Sequence, residues 1–145
     1  AIEGDARLTK CAQRVENPAT NSGVAFPGEE QDARWSSNIA PIPYVRNEEL
    51  ILIYAEANMM TGNTDEAVSA INIIRNAHGI GDYTTGTSND ELIEEILFQR
   101  RYSLWAEGGH RWVDLRRTNK LDADHVDLRD GGSLFTQVAR RTSEQ

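Results

Sequence analysis

The stretch from Ser88 to Arg117, SNDELIEEILFQRRYSLWAEGGHRWVDLRR, decides the fold. Ser88 stands three residues before Glu91, the spacing at which a hydroxyl caps free N–H groups while the carboxylate reaches back to the cap, so a helix should start here. Ile93, Ile96, Leu97 and Leu104 recur with a helical period, and Phe98, Tyr102 and Trp105 widen the stripe. The helix is therefore expected to be buried on more than one side. Gly108 and Gly109 should end it, because glycine is costly inside a helix and supplies the left-handed conformation that closes one. A short second helix is expected from His110 to about Arg117.

Charge and aromatic surface alternate densely here: Arg100, Arg101, Glu107, Arg111, Asp114, Arg116 and Arg117 lie among Tyr102, Trp105 and Trp112. Arginine pairs with carboxylates through its planar fork and stacks its face on rings. The reading is a structural ion-pair network of Arg100, Glu107, Arg111, Asp114 and Arg116, with Arg111 and Asp114 as an i, i+3 pair, rather than a catalytic site. Trp105 and Trp112 fall on the core face and read as packing.

Upstream, Asn47 is expected to cap a helix over Glu48 to Met60, whose first acids favour its positive end. Leu50, Ile53, Tyr54 and Ala57 make one apolar stripe, with Ile51 and Ala55 beside it. Gly62 stops this helix, and Asn63 or Thr64 caps the next, from Asp65 to about Ala77, with Ala67, Ala70, Ile71 and Ile74 on its buried face. His78-Gly79 closes it. Two such helices joined by a tight turn form an αα-hairpin close to the period of a tetratricopeptide repeat, and the helix after Ser88 reads as the first half of a second, irregular unit. Fewer than about three units seldom bury a sufficient core, so the chain is expected to belong to something larger.

The flanks are polar. Residues 1–46 carry turn signals at Asn17-Pro18 and Pro27-Gly28 and no periodic element, with Pro43 to Arg46 expected as a short strand. So long an irregular segment either packs on sequence outside this chain or is a binding loop, with Trp35 and Phe26 as its large aromatic handles. Ile80 to Thr87 is a loop carrying Tyr83. Residues 118–145 are irregular, and Asp122, Asp124, Asp127 and Asp130 do not fit a Ca²⁺ loop, which leaves a solvated acidic loop. The expected architecture is all-α: irregular residues 1–46, a hairpin over 47–78, the anchor helix and short helix over 88–117, then irregular residues to 145.

A chain of 145 residues is one domain's worth, with 39% hydrophobic and 26% charged residues. A formal charge of −8 and a pI near 4.8 argue against a nucleic-acid partner, since phosphate binding requires a basic surface. Cys11 has no second cysteine to pair with. No apolar run approaches a membrane span, and the first ten residues have no signal-peptide core. Glu107-x-x-His110 followed by Asp114 has a metal-ligand spacing, but the intervening glycines interrupt the helix and there is no second such pair. No metal, cofactor or catalytic residue is assigned, and no nucleophile or phosphate-loop motif occurs.

Taken together, Tyr54-Ala55-Glu56-Ala57, Gly62 before Ala67, Ile71-Asn72-x-x-Arg75, Arg100, Leu104 and Glu107-Gly108 leading to Arg111-Trp112-Val113-Asp114-Leu115-Arg116 resemble the C-terminal half of the SusD/RagB family. The resemblance runs from about Pro43 to Lys120. It implies a fold of tetratricopeptide-like helix pairs and a surface-exposed outer-membrane lipoprotein of Bacteroidetes. Such a protein lids a SusC-like TonB-dependent transporter and captures glycans or other nutrients, without enzymatic activity. The family's lipidated cysteine is not matched, so any membrane tether lies outside this fragment. The family often has Glu where Gln99 and Ser103 stand, and one glycine where this chain has Gly108-Gly109. The resemblance puts the ligand site largely in the unmatched half, which leaves Trp35 and Tyr83 as the ring-bearing candidates here. The alternative reading is a helical-repeat scaffold that binds only protein.

Overall fold

The computed structural model describes residues 2–13, 30–35, 37, 39–128 and 132–137. The expected turns at Asn17-Pro18 and Pro27-Gly28, together with Phe26, Asp130 and Gly131, lie outside them. Among the described residues are four α-helices: α1 (Asn47–Met60), α2 (Thr64–Ala77), α3 (Asn89–Ser103) and α4 (His110–Arg117). The chain forms two compact units, Ala1–Ser103 and Leu104–Gln145.

In the first unit α1 and α2 form the expected hairpin, and α3 packs against both. The turn between them passes through Gly62 at φ +81°, a conformation an L side chain rarely adopts. Ala55, Ala67 and Ala70 are small where the two helices meet, and with Met59, Ile71, Leu92 and Ile96 they make the core. Burying Ile71 completely is worth about 1.5–3 kcal/mol. The α2 stripe is the expected one, Ala67, Ala70, Ile71 and Ile74. In α1 the expected stripe is corrected: Leu50, Ile53 and Tyr54 are half exposed, and Leu52, Ala55, Glu56 and Met59 are buried instead. Asn47 is the first residue of α1 rather than its cap, which is Arg46 without a side-chain bond.

The capping box at the start of α3 forms as read. Glu91 N–H donates to Ser88 Oγ at 3.3 Å, and Ser88 N–H donates to Glu91 Oε2 at 3.2 Å. The helix stops at Ser103, earlier than the glycines suggested. The Lys10 ammonium donates to the carbonyls of Tyr102 and Ser103 at 2.8 and 2.7 Å, placing a cation on the negative end of the helix dipole.

Lys10 belongs to a segment read as irregular. Ala6–Lys10 is a 3-10 helix, and strand β1 (Cys11–Gln13) pairs antiparallel with β2 (Glu30–Asp32). The expected strand at Pro43 to Arg46 does not form; Tyr44 and Val45 lie in a bend, and the segment is mostly exposed.

In the second unit α4 begins after Gly109, whose φ of +69° sets the turn into the helix. Its bounds match the expectation, and Asp114 and Leu115 are its buried residues.

Candidate functional site

Three groups of side chains come into question, and each is built from its own local chemistry. The first surrounds Trp35. Just after β2, Asp32 accepts from the Arg34 N–H at 3.0 Å and from Arg34 Nε at 2.9 Å. This turn holds the Arg34 guanidinium 5.3 Å from the Trp35 ring centre, a cation–π distance. The hydrogen bond from the Arg34 side chain, with its charge, holds the Asp32 carboxyl below the usual carboxylate range. Trp35 keeps 36% of its surface exposed. An indole face beside a planar guanidinium and a carboxylate is suited to stacking and hydrogen-bonding a polyhydroxylated ring.

Tyr83 is different. It was read as an exposed loop ring, but it is 9% exposed and part of the α1–α2–α3 core. Its N–H donates to Asn72 Oδ1 at 2.7 Å, and burial pushes its phenol above the usual range. Arg75, one turn along α2 from Asn72, donates to the carbonyls of Gly81 and Ile80 at 2.7 and 3.2 Å and pairs with Glu95 of α3 at 2.6 Å. The Ile71-Asn72-x-x-Arg75 motif thus pins the loop that inserts Tyr83 into the core.

The second group went unread in the sequence. Asp5 caps the 3-10 helix by accepting from the Arg7 N–H at 2.9 Å, and its carboxylate pairs with the Arg7 guanidinium at 2.7 Å, both side chains fully buried. Arg7 also donates to Gln99 O and Ser103 Oγ at 3.3 and 3.1 Å. On α3 the arginine therefore meets the Gln99 backbone carbonyl and the Ser103 hydroxyl, and the balancing carboxylate is that of Asp5. Burial acts to raise the Asp5 pKa, but the bonds from Arg7 and its charge outweigh burial and leave it lowered. Glu48 in α1 follows the same pattern: burial raises it, while Ser103, His78 at 2.7 Å and the charge of Lys10 leave it lowered overall. The only sequence signal for this cluster was Asp5 two residues before Arg7, a common spacing whose partners lie more than ninety residues away.

The third group holds the residues expected to form an arginine network, Arg100, Glu107, Arg111, Asp114 and Arg116, which divide between the two units. Arg100 lies buried on α3 in the first unit. In the second unit, Asp114 accepts from Arg117 at 2.9 Å as an i, i+3 pair. Arg111 donates to the His125 carbonyl at 3.2 Å, and Arg116 lies 4.6 Å from the Trp112 ring centre. The Trp112 indole N–H donates to Phe135 O at 2.8 Å, tying α4 to the chain that follows. Glu107 sits in the turn before α4. Among the described residues no three His, Cys, Asp or Glu side chains gather as metal ligands, and no helix is long and apolar enough to cross a membrane.

These features define a helical hairpin with α3 packed on it, braced by the Asp5–Arg7 and Arg75–Glu95 pairs, and a partly exposed Trp35 ring held by its own turn. Residues 19–144 match the SusD family, and the chain belongs to that family. It is 38% identical to the SusD-like protein P38 of Formosa agariphila, over 67% of this chain and 23% of that protein. It is also similar to the crystal structure of a SusD superfamily protein from Bacteroides vulgatus, with a TM-score of 0.51 and 32% identity over 53% of this chain and 16% of the other. The chain thus spans less than a quarter of the length of either relative.

Proposed function

We propose that this chain is part of a nutrient-binding protein on the outer-membrane surface. Such a protein captures a glycan or another nutrient and passes it to a SusC-like TonB-dependent transporter, by binding and not by catalysis. The observation that carries this reading is the match to the SusD family over residues 19–144. A lipid anchor borne elsewhere in the polypeptide would hold it at the membrane. Trp35, with Arg34 and Asp32 beside it, is the group in this part of the chain whose chemistry suits a sugar ring.

The test is calorimetric titration of the intact protein with a panel of oligosaccharides, repeated with Trp35→Ala. Saturable binding of at least one glycan, weakened several-fold by the substitution, is the expected result. Binding that Trp35→Ala leaves unchanged would move the site elsewhere in the protein. No binding to any glycan, with a stable complex to another protein, would favour a protein-interaction scaffold.

A further inference from the structure

Beyond the Cys11–Asp32 pair, the β1–β2 ribbon is extended by one more bond, from the Ala33 N–H to the Lys10 carbonyl at 2.8 Å. Ala33 is the middle residue of the Asp32–Arg34 turn that carries Trp35. Lys10 therefore holds that turn with its backbone and α3 with its side chain, since its ammonium donates to the Tyr102 and Ser103 carbonyls. One turn earlier in the 3-10 helix, Arg7 donates to Gln99 O and Ser103 Oγ and lies 5.5 Å from the Tyr102 ring centre. The Ala6 N–H donates to the His78 carbonyl at the end of α2 at 3.1 Å. These bonds are all polar. Leu8, the large apolar residue of the 3-10 helix, is 42% exposed, and the fully buried apolar side chains described in this unit all belong to α1, α2 or α3.

We infer that Lys10 is a positioning residue for Trp35: the 3-10 helix and the β1–β2 ribbon form a strap, fastened to the end of α3 by the charges of Arg7 and Lys10, that sets the Trp35 turn against the helices and opens without unfolding them. A segment with few buried apolar contacts opens at a lower free energy than the core beneath it. Hydrogen bonds from an ammonium or a guanidinium are stronger than neutral ones, so a strap with little apolar burial depends on them. The ammonium also meets the negative end of the α3 dipole, a place that another cation can fill and an uncharged side chain cannot. The bearing on sugar capture rests on the reading of Trp35 given above; the strap itself does not, and its test contains no glycan.

The experiment compares the intact protein with its Lys10→Met and Lys10→Arg variants. Amide hydrogen exchange reports on the strap and the helices, and the fluorine resonance of fluorotryptophan at Trp35, assigned by its loss in Trp35→Phe, reports on the ring. In Lys10→Met, exchange over residues 6–13 and 30–35 should be about tenfold faster, with exchange over Leu92–Leu97 unchanged and the Trp35 resonance shifted. Lys10→Arg should restore the parent values. An unmoved Trp35 resonance, equally faster exchange over Leu92–Leu97, or no rescue by Lys10→Arg overturns the inference. Should Lys10→Met fail to fold, exchange of the parent protein in rising sub-denaturing urea decides. Residues 6–13 and 30–35 opening together ahead of Leu92–Leu97 supports the strap, and any other order overturns it.

Discussion

Helices α1 and α2 are both 14 residues long and pack along each other, yet they spend their apolar residues differently. α2 has one buried stripe and a largely polar remainder, with Asp65, Glu66, Ser69 and Asn76 exposed. α1 has a buried stripe of Leu52, Ala55 and Met59 and a second, half-exposed one of Leu50, Ile53 and Tyr54. One stripe names the inner face of a helix, whereas two with the same period leave the choice to the packing partners. In α1 the half-exposed stripe lies opposite the buried one, so spacing alone does not say which of the two faces the core.

The largest expected effects test what the two helices share. Leu52→Ala in α1 and Ile71→Ala in α2 both empty fully buried positions and should each cost about 2–5 kcal/mol, read from urea unfolding of the intact protein. A much smaller loss for Leu52→Ala would break the assignment of the inner face of α1.

Next comes the outer face, where the contrast sharpens. Leu50 is half exposed, so Leu50→Asn should cost no more than about half of the roughly 1.5–3 kcal/mol that full burial of a leucine is worth. A loss as large as that of Leu52→Ala in the same unfolding measurement would contradict the assignment of the two faces.

Acid should then loosen the bracing of the hairpin. Asp5 and Glu48 have lowered folded-state pKa values, so their stabilisation is complete above the unfolded carboxylate range near pH 4 and is lost as pH falls through the folded values. Following stability between about pH 6 and 3 should show a steep decline in the parent protein. Asp5→Asn should be less stable at neutral pH and decline less steeply on acidification; an unchanged slope would remove Asp5 from the account.

The smallest effect is expected at the entry to α3. Ser88→Ala removes half of the capping box and should cost about 1 kcal/mol, measured as a shift of the unfolding midpoint.

Much of this was legible in the sequence, for physical reasons. The α2 stripe is readable because its apolar residues are confined to one arc. The start of α3 is readable because Ser88 and Glu91 satisfy each other locally. The bounds of α4 follow from glycine before it and its own charge pattern. The inner face of α1 was misread because both its stripes have helical spacing, and the one with the larger side chains faces away from α3. Only the buried position of its partners decides between them. The N-terminal segment was opaque because nothing periodic forms it. Arg7 and Lys10 find their partners on α3, and three-residue strands carry too few positions to show alternation. Trp35 was visible as a ring, but its pairing with Arg34 and Asp32 emerges only from the turn. Tyr83 reads as a loop residue because its loop is polar, and its burial depends on anchors at Asn72 and Arg75 eight or more residues upstream.

The most direct test of which face of α1 packs inward is the rate of thiol labelling at Ala55→Cys in the intact protein, with all other cysteines removed. The exposed loop position Thr84→Cys serves as the reference. With that face of α1 against α2 and α3, Ala55→Cys should react about tenfold or more slowly than the reference, because labelling must wait for local opening. Equal rates at the two positions would show that face open to water and contradict the account.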